Sequence, residues 1–319
     1  MPESTELILH HYPASPFAEK IRLMLGFRQM PWRSVHIPMV MPKPDLVALT
    51  GGYRRTPVAQ LGADIYCDTA LIARLLQRLQ PAPDLYPVAQ AASANLLAQW
   101  ADTSLFSAAV AYAFQPAGLQ AMFGQFSPEQ IAAFIEDRKE MRKGGSSPRM
   151  GLDLAWGALL NFLPWLESQL AGREPSPQGH FCGEAASIAD FAIYHPLWFI
   201  RRAGTLGALL DPYPCLNAWY DRMSKFGHGP AQALSSQDAL AIARAAAPAD
   251  LPRVDLRQVD GCAVGDQVTV SATDYGTDPV LGELVMSGVE EVVIRRQDER
   301  AGSVQVHFPR LGYRIAKQA

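Results

Sequence analysis

At roughly 150 residues per domain, a chain of 319 residues has room for two domains and a smaller third. Its 49% hydrophobic and 18% charged residues exclude a disordered, collagenous or disulfide-scaffold chain. A net charge of -3, with no basic excess gathered on one face, excludes the electrostatic footprint expected of a nucleic-acid binder. Cys67, Cys182, Cys215 and Cys262 lie too far apart for a CxxC or other metal-ligand spacing. They read as small core side chains of a reducing compartment, so no metal is expected and the cytoplasm is the expected location.

The N-terminal run Met1 to Glu6 carries two glutamates and no basic segment before an apolar run, so no secretory signal is expected. Leu7-Ile8-Leu9 reads as a strand that ends in the turn His10-His11-Tyr12-Pro13. Ser15-Pro16 then reads as a helix cap followed by proline in the first turn, with Glu19 where the helix dipole favours a carboxylate. Phe17, Ile21, Met24 and Leu25 share one face of that helix. Trp32 to Ile37 alternates as a strand, and a proline-rich loop with a short helix near Asp45 to Leu49 follows. Residues Thr56 to Leu61 and Ile65 to Cys67 form a hairpin across Gly62-Ala63-Asp64, and Asp68-Thr69 caps a helix carrying Leu71, Ile72, Leu75, Leu76 and Leu79. This β-α-β-(α)-β-β-α order is thioredoxin-like.

From Val88 to Phe226 the period is helical. The expected helices are Ala89 to Phe114, Pro128 to Lys143, Leu152 to Leu170, Ile188 to Arg202 and Cys215 to Phe226, with Trp156, Trp165, Trp198 and Trp219 as core. The uncharged stretch Thr103 to Pro128 is broken by Gln115, Pro116, Gln120 and Gln125, a poor membrane span, and reads as buried helix plus loop. A short alanine-rich helix opens at Ser235 to Asp238. Beyond it the period switches to two, with strands at Gln267 to Val270, Val280 to Met286, Val289 to Ile294 and Ser303 to Phe308.

The fold class expected is an α/β thioredoxin-like N-terminal domain (1–82), an all-α domain (87–228), a helical connector (229–250) and a small all-β, barrel-like antiparallel domain (251–319). That last segment has eight Lys/Arg against ten Asp/Glu, which argues against nucleic-acid binding and for contact with the rest of the chain or with a partner protein.

Four motifs carry a resemblance: Ser15-Pro16-Phe17-Ala18 between strand and helix, Thr56-Pro57-Val58 before the third strand, Asp68-Thr69 at the next helix start, and the capping box Ser187-x-x-Asp190. Together they resemble the cytosolic glutathione transferase superfamily over about residues 5 to 228, and the first motif is most similar to omega-type and related bacterial members. The resemblance does not reach 251–319. Redox-active members carry cysteine where this chain has Ser15, which argues against thiol-disulfide chemistry, and Cys67 in its strand is a poor substitute.

The resemblance implies glutathione as a substrate, a second substrate that is a small apolar electrophile, a homodimer and a role in detoxification. It implies that Ser15 donates to the glutathione sulfur, or that Tyr12 does, as tyrosine does in other classes. Pro57 would be cis, letting Thr56 and Val58 pair with the cysteinyl part of glutathione. Asp68 and Thr69 would hold the γ-glutamyl end, with Phe17 beside them. Lys43 would reach the glycyl carboxylate, with Arg54 and Arg55 as other candidates. Phe106, Tyr112, Phe114 and Phe123, with Met122, would line the electrophile pocket, unless they are core. His10 and His11, being adjacent, lack a metal-ligand spacing and are expected at a strand end or pocket wall.

The chemistry expected is thiolate stabilisation followed by nucleophilic attack on the electrophile. The competing expectation is a non-catalytic binding or scaffold protein that uses its C-terminal β region for partner contact.

Overall fold

The computed structural model describes residues 6–147, 149–172, 179–252 and 261–318. In the N-terminal part, β1 (Ile8–His11), α1 (Pro16–Phe27), β2 (Trp32–His36), α2 (Pro44–Thr50), β3 (Val58–Leu61), β4 (Asp64–Cys67) and α3 (Thr69–Leu79) follow in the expected order. β1 pairs in parallel with β2 and antiparallel with β3, and β3 pairs antiparallel with β4. This is a thioredoxin-like sheet. Strand alternation divides its side chains cleanly: Leu9, Ala59 and Tyr66 face the helical core, whereas Ile8, Val58, Ile65 and Cys67 face a second core on the other side.

The helical part contains α4 (Ala91–Trp100), a π-helical turn (Ala101–Leu105), α5 (Phe106–Ala113), α6 (Pro116–Phe123), α7 (Pro128–Glu140), α8 (Leu152–Ala171), α9 (Ile188–Arg201) and α10 (Pro214–Ser224). The expected long helix from Ala89 is thus continued by the π turn into α5 and ends at Phe114. The stretch after it, expected as loop, contains α6, which Pro116 opens. α9 is the buried axis of this part. Its Asp190 carboxylate accepts from Ser187 N (2.9 Å) and Oγ (3.0 Å), Phe181 N (3.1 Å) and Trp219 Nε1 (2.9 Å), so the Ser187–Asp190 box also ties the helix to its neighbours. Trp219 is core as expected, but Trp156 and Trp165 are 44% and 61% exposed, because they lie on the outer face of α8. No helix among the described residues is long and apolar enough to cross a membrane.

After α10 come β5 (Ala231–Ala233), α11 (Ser236–Ala245), β6 (Gln267–Ala272), β7 (Val280–Ser287), β8 (Glu291–Asp298), β9 (Gly302–Pro309) and β10 (Tyr313–Lys317). β6 to β9 run antiparallel to one another, and β10 returns to pair with β6. They extend the N-terminal sheet as well. β9 pairs in parallel with β4, giving one 10-stranded sheet of order β10-β6-β7-β8-β9-β4-β3-β1-β2-β5 with open ends at β10 and β5. Both edges of the thioredoxin-like sheet are covered, β4 by β9 and β2 by β5, so neither is left as a template for aggregation. Val268, Val280, Leu284, Val292, Ile294, Val306 and Phe308 share the second core with Ile8, Val58 and Ile65. α11 joins that core through Ala239, Leu240 and Ala243.

Among the ionic contacts at the join, one is buried. His307 of β9 lies opposite Tyr66 of β4 and stacks on it, with ring centroids 4.2 Å apart. Its ring nitrogens meet Asp64 Oδ1 (3.0 Å) and Glu291 Oε1 (2.6 Å). Burial disfavours the imidazolium, but the two carboxylates outweigh it and raise the His307 pKa.

Candidate active site

The turn between β1 and α1 is built by local chemistry. Ser15 has extended backbone, its N–H donates to Tyr12 O (3.1 Å), and its Oγ accepts from Ala18 N (3.2 Å), which caps α1 as the sequence implies. Beneath the turn, Arg22 donates to Tyr12 O (3.3 Å), Pro13 O (3.0 Å), His11 Nδ1 (3.0 Å) and Glu19 Oε2 (2.6 Å). Burial works against the Glu19 charge, but His228 and Arg22 more than compensate and keep its pKa low. The turn is therefore held by Arg22 of α1, which Glu19 links to His228 beyond α10.

Ser15 opens onto a cavity of about 590 Å³ between the thioredoxin-like and helical parts. Tyr12, Ser15, Phe17, Arg54, Arg55 and Thr56 form its sheet side. Phe106, Phe114, Phe123, Phe134 and Phe199 form an aromatic wall on the helical side. Phe17 closes against that wall, 4.6 Å from the Phe106 ring and 4.5 Å from His195. Of the expected second-substrate residues, Phe106, Phe114 and Phe123 line the cavity and Tyr112 does not. Its hydroxyl donates to Leu206 O (3.4 Å) and its ring stacks on Trp156, because at that point of α5 it faces the core between helices. Met122 is buried behind Phe123.

Other expected residues stand one layer behind. The Thr56–Pro57 bond is cis. Thr56 lines the cavity, whereas Pro57 and Val58 do not. Lys43 is 3% exposed and donates to Thr56 Oγ1 (3.3 Å), with its ammonium 5.9 Å from the Tyr12 ring centre. Burial, and then Arg138, lower its pKa to about 8. Arg54 is held by Asp137 (2.8 Å), which Arg138 also contacts (3.1 Å).

Asp68 caps α3 by accepting from Ala70 N (3.0 Å), but it does not line the cavity. Its Oδ2 accepts from Tyr313 Oη (3.0 Å) and lies 3.5 Å from Arg55 Nη1. Thr69, also outside the cavity, accepts from Lys20 Nζ (3.4 Å). His10 and His11 are buried in β1, bonded to Gln60 and Ser34, and burial lowers their pKa values to about 4 and about 3, so both are neutral.

Several lining residues carried no sequence expectation. Asp102, on the π turn, bonds Lys20 Nζ (2.6 Å) and His195 Nε2 (2.9 Å). Burial opposes its charge, but Lys20 and His195 outweigh it, so Asp102 stays ionised and is a poor base. Asp274 and Tyr275, from the turn between β6 and β7, reach the cavity through Arg55. Arg55 ion-pairs with Asp274, and its guanidinium lies 4.0 Å from the Tyr275 ring centre. Phe134 and Arg138 lie four apart on one face of α7, and Arg142 follows four further on, a spacing that the expected helix already contained.

Known proteins match this architecture. The N-terminal domain model of glutathione S-transferase matches residues 9–84, and the C-terminal domain model matches residues 128–222. The chain is 44% identical to a GST-like protein from Pseudomonas syringae, with a TM-score of 0.81, over 98% of this chain and 100% of that one. That relative therefore spans the C-terminal strands too. FzlA from C. crescentus is 21% identical (TM-score 0.52, 69% and 88% covered), and a glutathione S-transferase from Methylobacillus flagellatus with GSH bound is 20% identical (TM-score 0.50, 69% and 95% covered). No curated protein sequence matches the chain. The thioredoxin-like sheet, the helical part with its Ser187–Asp190 box and these matches together establish that the chain belongs to the glutathione S-transferase family.

Proposed function

We propose that the chain is a Ser-type glutathione transferase-like enzyme, which binds glutathione in the cavity with its sulfur at Ser15 and conjugates it to a small apolar electrophile on the aromatic wall. One observation carries this reading: Ser15 caps α1 on the wall of the cavity that Phe106 also lines, and its Oγ already accepts the Ala18 N–H. Its own proton is then the part left to give. A hydroxyl donating to a charged sulfur contributes about 1.5–3 kcal/mol, and a helix N-terminus about 0.3–1 kcal/mol more. Each pKa unit corresponds to about 1.36 kcal/mol, so the two effects bring a thiol from near 8.5 to about neutrality without a general base.

The remaining groups fit the ends of the tripeptide. Lys43 is a buried ammonium whose described hydrogen bond is to a neutral hydroxyl, so a glycyl carboxylate beside it would restore a hold on its proton that burial weakens. On the γ-glutamyl side, Arg55 lines the cavity in front of Asp68, and its guanidinium, already bonded to Asp274 and Tyr275 O, adds a positive charge beside which the α-carboxylate would lie. Attack follows once the electrophile is held against Phe106, Phe114 and Phe123. A homodimer, a cytoplasmic location and a role in detoxification belong to the same proposal, through the family resemblance.

A second reading, a binding or scaffold protein of this fold, is favoured by the engagement of Asp68 and Thr69 within the chain by Arg55, Tyr313 and Lys20. Saturable conjugation of glutathione to a small aryl electrophile by the intact chain is the outcome expected of the enzyme. Retention on immobilised glutathione without turnover selects the binding protein, and no retention refutes glutathione recognition. The intact chain is required, because removing residues 230–319 would strip β5 and β9 from both edges of the N-terminal sheet.

A further inference from the structure

Five arginines line the cavity, Arg54, Arg55, Arg138, Arg142 and Arg149, against two carboxylates among the described residues, Asp102 and Asp274. An ammonium entering so positive a space needs a carboxylate with an oxygen to spare. Asp102 has none, because Lys20 Nζ holds its Oδ2 (2.6 Å) and His195 Nε2 its Oδ1 (2.9 Å). Asp68, which the family resemblance nominates for the γ-glutamyl end, stands outside the cavity with both oxygens engaged, Oδ1 by Ala70 N (3.0 Å) and Oδ2 by Tyr313 Oη (3.0 Å). Asp274 differs on each count. It lines the cavity, its Oδ1 pairs with Arg55, and its Oδ2 has no hydrogen-bond partner among the described residues.

The backbone that carries Asp274 is fixed on two sides. Thr273 N donates to Gly312 O (3.0 Å), which ties the turn between β6 and β7 to the start of β10. Across the cavity rim, Ser146 N donates to Thr273 O (2.9 Å), Ser147 N to Asp274 O (3.0 Å), Gly276 N to Met141 O (2.5 Å) and Thr277 Oγ1 to Lys143 O (3.0 Å). Arg55 is fixed by the same turn, since its Nε donates to Tyr275 O (3.2 Å) and its guanidinium lies 4.0 Å from the Tyr275 ring centre. A guanidinium and a carboxylate thus stand side by side on the cavity wall, one from the thioredoxin-like part and one from the C-terminal strands. That arrangement complements a zwitterion, the form in which an α-amino acid end presents its ammonium and carboxylate together.

We infer that Asp274 is a specificity residue of this site: its carboxylate, and not that of Asp68, takes the α-ammonium of the γ-glutamyl group, while Arg55 faces the α-carboxylate. This rests on the transferase reading, which supplies the tripeptide. Asp274 lies outside both stretches that match the family's domain models, residues 9–84 and 128–222. The C-terminal strands therefore complete the thiol-substrate site with a residue of their own, and the withdrawal of Asp68 behind Tyr313 leaves recognition of the ammonium intact.

The test measures, by calorimetry on the intact chain, the affinities of glutathione, of glutaryl-cysteinylglycine, which lacks only the ammonium, and of γ-aminobutyryl-cysteinylglycine, which lacks only the α-carboxylate. The unaltered protein is expected to bind glutathione about tenfold or more tightly than the glutaryl peptide, as for a charge-assisted hydrogen bond. In Asp274→Asn that preference should vanish through weaker glutathione binding, with the glutaryl affinity kept and the preference over the γ-aminobutyryl peptide retained. Asp274→Glu, which keeps the carboxylate, should restore most of the lost preference. Equal affinity of the unaltered chain for glutathione and the glutaryl peptide overturns the inference without any variant. So does a preference that survives in Asp274→Asn, or a parallel loss of all three thiols there, which would make Asp274 only a prop of the cavity wall. A preference lost in Asp68→Asn but kept in Asp274→Asn returns the ammonium to Asp68, and overturns the inference while the transferase reading stands. Failure of the unaltered chain to bind any of the three refutes the transferase reading and the inference with it.

Discussion

Replacing Ser15 by alanine separates its two roles in the structure. As a cap, its Oγ accepts the Ala18 N–H at 3.2 Å, and losing that bond costs about 1 kcal/mol of stability. As a donor to the bound sulfur, the hydroxyl contributes about 1.5–3 kcal/mol to the thiolate, so its removal raises the thiol pKa of bound glutathione by about 1–2 units. At neutral pH, kcat/KM should fall about tenfold to 150-fold while glutathione affinity changes little, because the tripeptide ends are held elsewhere. The assay is a pH titration of the thiolate ultraviolet absorbance in the glutathione complex, run for the unaltered chain, Ser15→Ala and Tyr12→Phe. Ser15→Thr, which keeps the hydroxyl, should restore most of the shift. A bound-thiol pKa that is unmoved in Ser15→Ala but raised in Tyr12→Phe would refute the reasoning, since Tyr12 also lines the cavity.

Lys43→Met should weaken glutathione binding about tenfold to a hundredfold by calorimetry, through loss of the carboxylate's charged partner, with little effect on the thiol titration. His307 makes stability depend on pH in a stated direction. Its folded-state pKa is raised above the ordinary value, so its contribution is complete below about pH 6.5 and is lost as pH rises through the folded value. Thermal melts should show this alkaline loss in the unaltered chain and a flatter profile in His307→Gln, which is less stable at acidic pH because Asp64 loses the imidazolium beside it and Glu291 keeps only Arg78 among the described residues. Asp190→Ala, which removes the acceptor of Ser187, Phe181 and Trp219, should cost about 3–5 kcal/mol in denaturant unfolding, as for a buried charge network.

Local chemistry was legible in the sequence and long-range pairing was not. Ser15-Pro16, Asp68 and the Ser187–Asp190 box announce helix starts because the capping oxygen and the N–H it serves lie within a few residues. The period-two runs from Gln267 onward likewise announce strands. Nothing local says that β9 will pair with β4, since Tyr66 and His307 meet only in the fold, and their ladder is one of backbone bonds that any sequence offers. For the same reason nothing near Asp274 and Tyr275 in the sequence says that they meet Arg55 at the cavity. Periodicity placed Trp156 and Trp165 on a helix but did not say which face α8 would turn outward. The spacing of Phe134 and Arg138 on α7, with Arg142 just beyond its end, was the one missed signal that spacing alone carried.

The central claim is that glutathione lies in this cavity with its sulfur on Ser15. A crystal structure of the intact chain with glutathione tests it most directly. The expected result is a sulfur within hydrogen-bond distance of Ser15 Oγ, the glycyl carboxylate on Lys43 and the α-carboxylate on the Arg55 side of the cavity. A sulfur on Tyr12 Oη, or a cavity free of glutathione at saturating concentration, would contradict the account.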